Sequence, residues 1–447
     1  MVTSQLPPHA IAQRQAHRLA QLLDTARAHS PFYRETLAAV SRGATHAPAA
    51  LASLPPVTRH ALMQRFDDWV TDARLTRARL RNFMAEAHNI GQPLLGEYTV
   101  WESSGTSGEP GYFVQDAQTM AVYDALEGLR RSSGRWFDPL FLGERIAFVG
   151  VTGGHFASYA SVERLRRLNP WLARTVASFS VLQPTAALVD ALNNFAPTII
   201  TTYPTAAALL ADEARRGALR IRPREVWTGG ETLSLAVRQH VEASLGCTLR
   251  NSYGASEFLA IGWECSHGRM HANTDWVILE PVDAQHRPVA PGVEPETTLL
   301  TNLANHLQPL IRYDIGDRVI VAPERCACGS PLPVIEVEGR HDDALVMAGR
   351  DGASVTLVPL ALTTVIEDEA GVFDFQLCQR DARTLVLRLP AKGSESADAM
   401  RRCRSALRGF AGRQGLGPIR VIGETGCALR HGRSGKLQRV IARPRLK

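Results

Sequence analysis

The residues Ser103-Ser104-Gly105-Thr106-Ser107-Gly108 alternate hydroxyl side chains with glycine, directly after a strand-like run at 98–101. Glycines let a backbone approach a ligand closely, and successive amides with hydroxyls can wrap the oxygens of a phosphate. The run is not a Walker loop, which ends in Gly-Lys-Ser/Thr, and the same composition also suits a surface turn. Further clusters follow in order: Gly229-Gly230-Glu231, Tyr253-Gly254-Ala255-Ser256-Glu257, Tyr313-Asp314-Ile315-Gly316-Asp317, Gly339-Arg340-His341-Asp342 and Ser434-Gly435-Lys436. Of 50 basic residues only Lys392, Lys436 and Lys447 are lysines, so a lysine inside such a cluster is informative. Separately, Cys265 and His271 precede the knuckle Cys326-Ala327-Cys328-Gly329. Three thiolates and one imidazole make a closed tetrahedral set of the kind that holds structural Zn²⁺. His267 competes for the imidazole place, and free buried cysteines are the plainer alternative.

Taken in order, the five later clusters and the hydroxyl-rich loop resemble the motifs of adenylate-forming enzymes, the superfamily of acyl-CoA synthetases, nonribosomal peptide adenylation domains and luciferases. The resemblance runs from about residue 30 to 440 and is nearest to the phenylacetate-CoA ligase branch, with Ser30-Pro31-Phe32-Tyr33-Arg34 and the Cys/His pattern as pointers. It implies that the loop 103–108 binds ATP phosphates, that Gly229, Gly230 and Glu231 lie along the nucleotide, and that Tyr253 stacks on adenine beside Gly254, Ala255 and Ser256. It further implies that Glu257 helps hold Mg²⁺, a hard ion suited to carboxylate oxygens. Asp317 matches a ribose-binding aspartate, whose two oxygens suit vicinal hydroxyls. Arg340 is expected at the ribose or phosphates and Asp342 at a hinge. Lys436 is expected to bridge carboxylate and nucleotide in the transition state, where a compact ammonium offsets developing charge. Two departures stand out: Glu109 occupies a loop position often held by lysine, and residues 346–352 are less regular than the family's stretch after the hinge.

These groups need a scaffold, and the chain is long enough for one of two or three units, at 447 residues against roughly 150 for a typical domain. Apolar residues form 45% and charged residues 21%, ordinary globular values. Leu19, Leu22, Leu23 and Ala26 have helical spacing that stops at Ser30-Pro31. From 145 to 211, β-branched runs at 146–151 and 198–202 alternate with amphipathic stretches at 157–168 and 186–195, predicting a largely parallel α/β sheet. After Asn273 short strand-like runs at 276–281, 297–300 and 318–321 predict a β-rich subdomain. A last segment has strand-like runs at 375–377 and 384–389 and a helical run at 397–410. The expectation is therefore an α/β protein: a large N-terminal domain at 1–340 with a β-rich subdomain, then a small mobile α+β lid at 341–447.

Composition excludes some roles. A net charge of +6 is dilute over this length and shows no polybasic block, so nucleic acid is not expected. No window is apolar enough for a membrane span, and the N-terminal run lacks a secretory core. Seven cysteines, odd and sparse, argue for a reducing compartment, so a cytoplasmic protein is expected, as monomer or homodimer. The resemblance implies ATP- and Mg²⁺-dependent conversion of an aromatic carboxylic acid to an acyl-adenylate and transfer to coenzyme A. Alternatives are transfer to the phosphopantetheine of an acyl carrier protein, transfer to an amine, or a non-catalytic nucleotide-binding scaffold. For the acyl pocket the candidates are His155, Phe156, Tyr203, Ser252 and Ile261, whose apolar and aromatic character suits an aryl acid.

Overall fold

The computed structural model describes residues 6–38, 51–103, 110–131, 143–338, 344–372, 374–390, 393–429 and 438–442. The expected N-terminal helix spans Pro8–His29 and buries Leu19, Leu22, Leu23 and Ala26. It ends at Ser30, whose hydroxyl accepts the Tyr33 amide at 3.3 Å and so starts the next helix, Pro31–Thr36. Arg18 lies 3.3 Å over the Trp276 ring, and Gln15 donates to the Thr274 carbonyl at 2.6 Å. The helical layer is thus fastened to the body by polar and cation–π contacts at one turn.

Two short antiparallel strands, β1 (Thr99–Glu102) and β2 (Tyr112–Gln115), bracket the hydroxyl-rich loop. The parallel strands follow: β3 (Ile146–Gly150), β4 (Val176–Ser180), β5 (Ile199–Thr202), β6 (Glu225–Thr228) and the first half of β7 (Thr248–Ala255). Their connections carry the helices Ala157–Leu168, Thr185–Phe195, Pro204–Arg215 and Leu235–Leu245. Val149 of β3, Ile199 and Ile200 of β5 and Val226 of β6 are buried because helices cover the sheet, as parallel pairing requires. β4 was not among the expected strands; its sequence Val-Ala-Ser-Phe-Ser has little β-branched character, and it gains its place as the edge partner of β3.

The expected β-rich runs divide between two sheets: 276–281 and 297–300 lie in a sheet of their own, and 318–321 joins the large one. In the large sheet β8 (Phe258–Glu264), β9 (Met270–Ala272), β13 (Arg318–Val321) and β14 (Val334–Glu338) continue the parallel strands antiparallel to one another. One nine-stranded sheet results, in spatial order β13-β14-β9-β8-β7-β6-β5-β3-β4. The strand β7 is the switch, pairing parallel to β6 through Asn251 and antiparallel to β8 from Ser252 onward. A separate three-stranded sheet holds β10 (Val277–Val282), β11 (Thr297–Asn302) and β12 (Tyr313–Asp314).

The C-terminal unit is α+β. It has a ladder of β15 (Leu345–Ala348) with β16 (Ser354–Leu357), and a four-stranded sheet β19-β18-β17-β20. The latter comprises β17 (Gln376–Asp381), β18 (Thr384–Leu389), β19 (Arg420–Thr425) and β20 (Val440–Ile441), with the helices Pro359–Ala370 and Ser394–Arg413. Gln414 donates to the carbonyls of Leu182 and Gln183 at 2.8 and 3.0 Å, tying this unit to the α/β part. Among the described residues no helix is long and apolar enough to cross a membrane.

Candidate functional site

Of the expected nucleotide residues, Gly229, Gly230 and Glu231 follow β6 and Tyr253 to Ala255 end β7, at the carboxyl side of the parallel strands, the crevice where open α/β sheets bind ligands. Ser103 closes the neck of the hydroxyl-rich loop: its amide donates to the Gly111 carbonyl at 2.9 Å, and its hydroxyl accepts the Gly111 amide at 3.0 Å. Ser104, Gly105, Thr106, Ser107 and Gly108 lie outside the described residues, as do Arg340, Asp342 and Lys436.

The glycines of the next clusters have steric reasons. A Cβ at Gly229 would stand 2.9 Å from the Ser252 hydroxyl, and Gly230, at φ +79°, packs against the Tyr203 ring. A Cβ at Gly254 would fall 2.0 Å from the Leu259 carbonyl oxygen, so only glycine allows the register shift between Tyr253 and Ala255. Past that shift Ser256 and Glu257 form a two-residue turn closed by the Ala255–Phe258 pair. The turn is held by Trp101, which donates to the Ser256 carbonyl at 2.8 Å, and by Asn302, which donates to the Glu257 carbonyl at 3.0 Å.

Glu257 itself is 5% exposed. Its Oε1 accepts the Tyr313 hydroxyl at 2.7 Å and Arg59 Nη2 at 3.3 Å. Burial and the adjoining carboxylate raise the Tyr313 hydroxyl well above the ordinary tyrosine range, which keeps it a proton donor. Nearby, Tyr253 donates its hydroxyl to Asp317 Oδ2 at 2.7 Å. The turn before Asp317 is set by Gly316, at φ +65°, whose amide donates to Asp314 at 2.9 Å. Sequence reasoning passed over Arg59, an arginine among many in the N-terminal layer, and took Tyr313 only as part of a motif.

The Glu231 carboxylate accepts the Thr205 amide and hydroxyl, each at 3.0 Å, and so caps the helix Pro204–Arg215. Ile261, offered as a pocket residue, is fully buried on β8 with Phe258 and Ala260, and it serves the core. His155 is also buried, 2% exposed, against Phe83. Burial lowers its pKa, so it packs as a neutral ring. Tyr203 remains at the crevice, its hydroxyl pushed up to about 12 by burial and by the nearby Glu231. Phe156 packs partly buried against the α/β core, and the Ser252 hydroxyl donates to the Thr228 carbonyl at 3.2 Å.

The cysteine set converges. Sγ of Cys265, Cys326 and Cys328 and one ring nitrogen of His271 all lie within 4.8 Å of one another. Two thiolates on a tetrahedral zinc would be about 3.8 Å apart, and a thiolate and an imidazole nitrogen about 3.5 Å. Cys265 and Cys326 are 3.7 Å apart, and Cys328 is 3.4 Å from His271 Nε2. His271 Nδ1 lies 2.8 Å from the Leu332 carbonyl, which fixes the tautomer with its lone pair on Nε2. His267, the competing imidazole, instead sits exposed by Ser266. The donor set fits Zn²⁺.

No family model matches the chain. It is 29% identical to a phenylacetate-coenzyme A ligase of Thermus thermophilus over 290 residues, 60% of either protein. To the phenylacetate-coenzyme A ligase of Escherichia coli it is 28% identical over 263 residues, 55% of this chain and 56% of that protein. The chain therefore spans less than two thirds of the curated relatives it matches. Among solved structures, 2-hydroxyisobutyryl-CoA ligase bound to 2-HIB-AMP and CoA in its thioesterification state gives a TM-score of 0.62 at 20% identity, covering 98% of this chain and 91% of that one. The chain shares the fold of that solved structure. The sequence likeness falls on the phenylacetate-CoA ligase branch to which the motifs pointed. The open conformation of the same 2-hydroxyisobutyryl-CoA ligase aligns over 98% of this chain with a TM-score of 0.59.

Proposed function

We propose that the protein is an ATP-dependent acid–thiol ligase that activates an aromatic carboxylate as its acyl-adenylate and passes the acyl group to coenzyme A. The observation that carries this reading is the meeting, near the carboxyl end of β7, of Tyr253 with Asp317 and of Tyr313 with Glu257, four residues from two motifs that the sequence separates. Likeness to two phenylacetate-CoA ligases supports the same chemistry.

In this reading the substrate carboxylate attacks the α-phosphorus of ATP and pyrophosphate leaves; the thiolate of coenzyme A then attacks the acyl carbon and AMP leaves. Asp317 binds the ribose, held by the Tyr253 hydroxyl. The backbone and hydroxyls of 103–108 receive pyrophosphate, with no lysine at position 109 to assist. Glu257 would hold Mg²⁺, which supplies charge neutralisation between phosphate oxygens. Lys436 and Arg340 offset charge in the adenylation step. The boundary falls at residues 340 and 341, and rotation of the C-terminal lid about Asp342 exchanges the two catalytic faces. The zinc at Cys265, His271, Cys326 and Cys328 is structural, since four protein ligands leave no open position. Its place is to tie the β8–β9 turn to the loop before β14. All seven cysteines are free of disulfides, in keeping with a cytoplasmic enzyme.

The test is carboxylate-dependent exchange of labelled pyrophosphate into ATP over a panel of aryl, arylacetic and short aliphatic acids, without thiol. Exchange with an aryl acid is expected, and thioester should appear on addition of coenzyme A. Folded protein that binds ATP yet exchanges with no acid would sink the ligase reading.

A further inference from the structure

The N-terminal helical layer reaches Glu257 and Tyr313 through Arg59. Residues 51–57 run beside β12: the Val57 amide donates to the Arg312 carbonyl and the Asp314 amide to the Val57 carbonyl, both at 2.9 Å. Thr58 then caps the helix Arg59–Gln64 through its hydroxyl. This register sets Arg59 at the first helical position, facing Tyr313 and Glu257.

The clamp behind this register is costly, and its cost marks it as built. Arg312, 2% exposed, holds a left-handed φ of +49° that a side chain seldom adopts. Its guanidinium donates to the carbonyls of Leu54 and Ala52 and pairs with Glu280 at 3.2 Å. Tyr33 grips the same turn from the helical side, its hydroxyl accepting the Ile311 amide at 3.1 Å. Chain entry and exit around Tyr313 are thereby fixed to the segment that delivers Arg59.

At the crevice, both donors fall on one oxygen. Tyr313 and Arg59 Nη2 each bond Oε1 of Glu257, and Arg59 Nε lies 3.4 Å from the Tyr313 hydroxyl. Among the described residues no donor reaches Oε2 within hydrogen-bond distance. A carboxylate free to turn about its last torsion presents either oxygen; one whose Oε1 is fixed by a phenol and a guanidinium presents only Oε2.

We propose that Arg59 is a positioning residue that, with Tyr313, turns Oε2 of Glu257 toward the divalent cation accompanying ATP. The inference rests on the metal role of Glu257 in the proposed function, and it adds a residue from the N-terminal layer to that site. Groups that orient a metal-binding carboxylate typically account for on the order of 10- to 100-fold in metal affinity.

The test is calorimetric binding of ATP to the full chain at increasing Mg²⁺, for wild type, R59Q, R59K, Y313F, E257Q and the double variant R59Q/E257Q. R59Q should raise the Mg²⁺ needed for half-maximal ATP binding roughly 10-fold or more. R59K, which keeps the charge and loses the fork, should recover part of the loss, and Y313F should shift it in the same direction. The double variant should match E257Q, because the effect passes through that carboxylate. Unchanged Mg²⁺ dependence in R59Q, or an equal loss on top of E257Q, would overturn the role, as would wild-type ATP binding indifferent to Mg²⁺. Should R59Q not fold, R59K and Y313F decide. Because no carboxylic acid enters the measurement, its result is independent of pyrophosphate exchange: absence of exchange with every acid would remove the ligase reading and leave the Arg59 comparison standing.

Discussion

Tyr253 and Asp317, 64 residues apart in the chain, are joined by a hydroxyl–carboxylate hydrogen bond of 2.7 Å. The tyrosine belongs to β7 where that strand turns from parallel to antiparallel pairing, and the aspartate follows the tight turn at Gly316. One bond therefore registers the α/β half of the crevice against its β-rich half. Burial, reinforced by the Asp317 charge, raises the Tyr253 hydroxyl well above the ordinary range, so it remains the donor through neutral and mildly alkaline pH.

A hydrogen bond to a charged group contributes about 1.5–3 kcal/mol. Y253F keeps the ring and removes only that bond. It should raise the KM for ATP roughly 10-fold or more with a smaller change in kcat. Steady-state kinetics at saturating acid would read this, and an unchanged KM would show that the Tyr253–Asp317 bond plays no part in nucleotide binding.

Much of this arrangement was legible in the sequence, and the part that was not has a physical cause. The helix 157–168 and the strands β3 and β5 could be read because periodicity and β-branching act locally. Gly230 and Gly254 entered only as members of their motifs, and the close contacts that reserve both places for glycine show in the fold. Glu231 could not be recognised as a helix cap, since its partner Thr205 lies on another crossover, 26 residues away. Arg59 was hidden for the same reason: nothing local distinguishes it from its neighbours, and its meaning arises 198 residues later at Glu257. The run 318–321 read as one subdomain with 276–281 and 297–300, yet it pairs into the large sheet, because a sequence reveals strand character but not which sheet receives it.

The cysteine cluster predicts its own dependence on metal. Purified protein should contain Zn²⁺ in near-equimolar amount, and C328S should lose most of it. Thermal unfolding should shift down by several degrees, while the KM for ATP stays within about 3-fold, since the knuckle lies outside the crevice. Elemental analysis beside calorimetry tests both statements. A wild type free of metal and of normal stability would end the zinc assignment.

Lys436 tests the division between half-reactions. If it serves adenylation alone, K436A should reduce pyrophosphate release by roughly 100-fold or more, the scale of a lost transition-state charge contact. Thiolysis of a supplied acyl-adenylate by coenzyme A should proceed at close to the wild-type rate. Equal loss in both half-reactions would place the lysine in a shared or structural role.

The junction between the units carries a titration with a definite sign. Glu102, at the end of β1, is raised to about 7, by burial first and then by Asp368 and Glu367 across the junction. Asp368, on the helix Pro359–Ala370, is raised to about 6 by burial and by Glu367 and Glu369. Two nearby cations are engaged: Arg439 pairs with Glu367 and Arg413 with Glu369, each at 2.6 Å. A carboxyl raised on folding favours the protonated folded state. Its contribution is complete below the unfolded values of 4.5 and 3.8 and is lost as pH rises through about 6 and 7. The midpoint of thermal unfolding should therefore fall by a few degrees between pH 5 and pH 8. E102Q cannot ionise, so it should flatten that slope and be the more stable protein at pH 8. A wild-type midpoint constant over this range, or an E102Q slope equal to that of wild type, would show that the charges at this junction are screened by solvent.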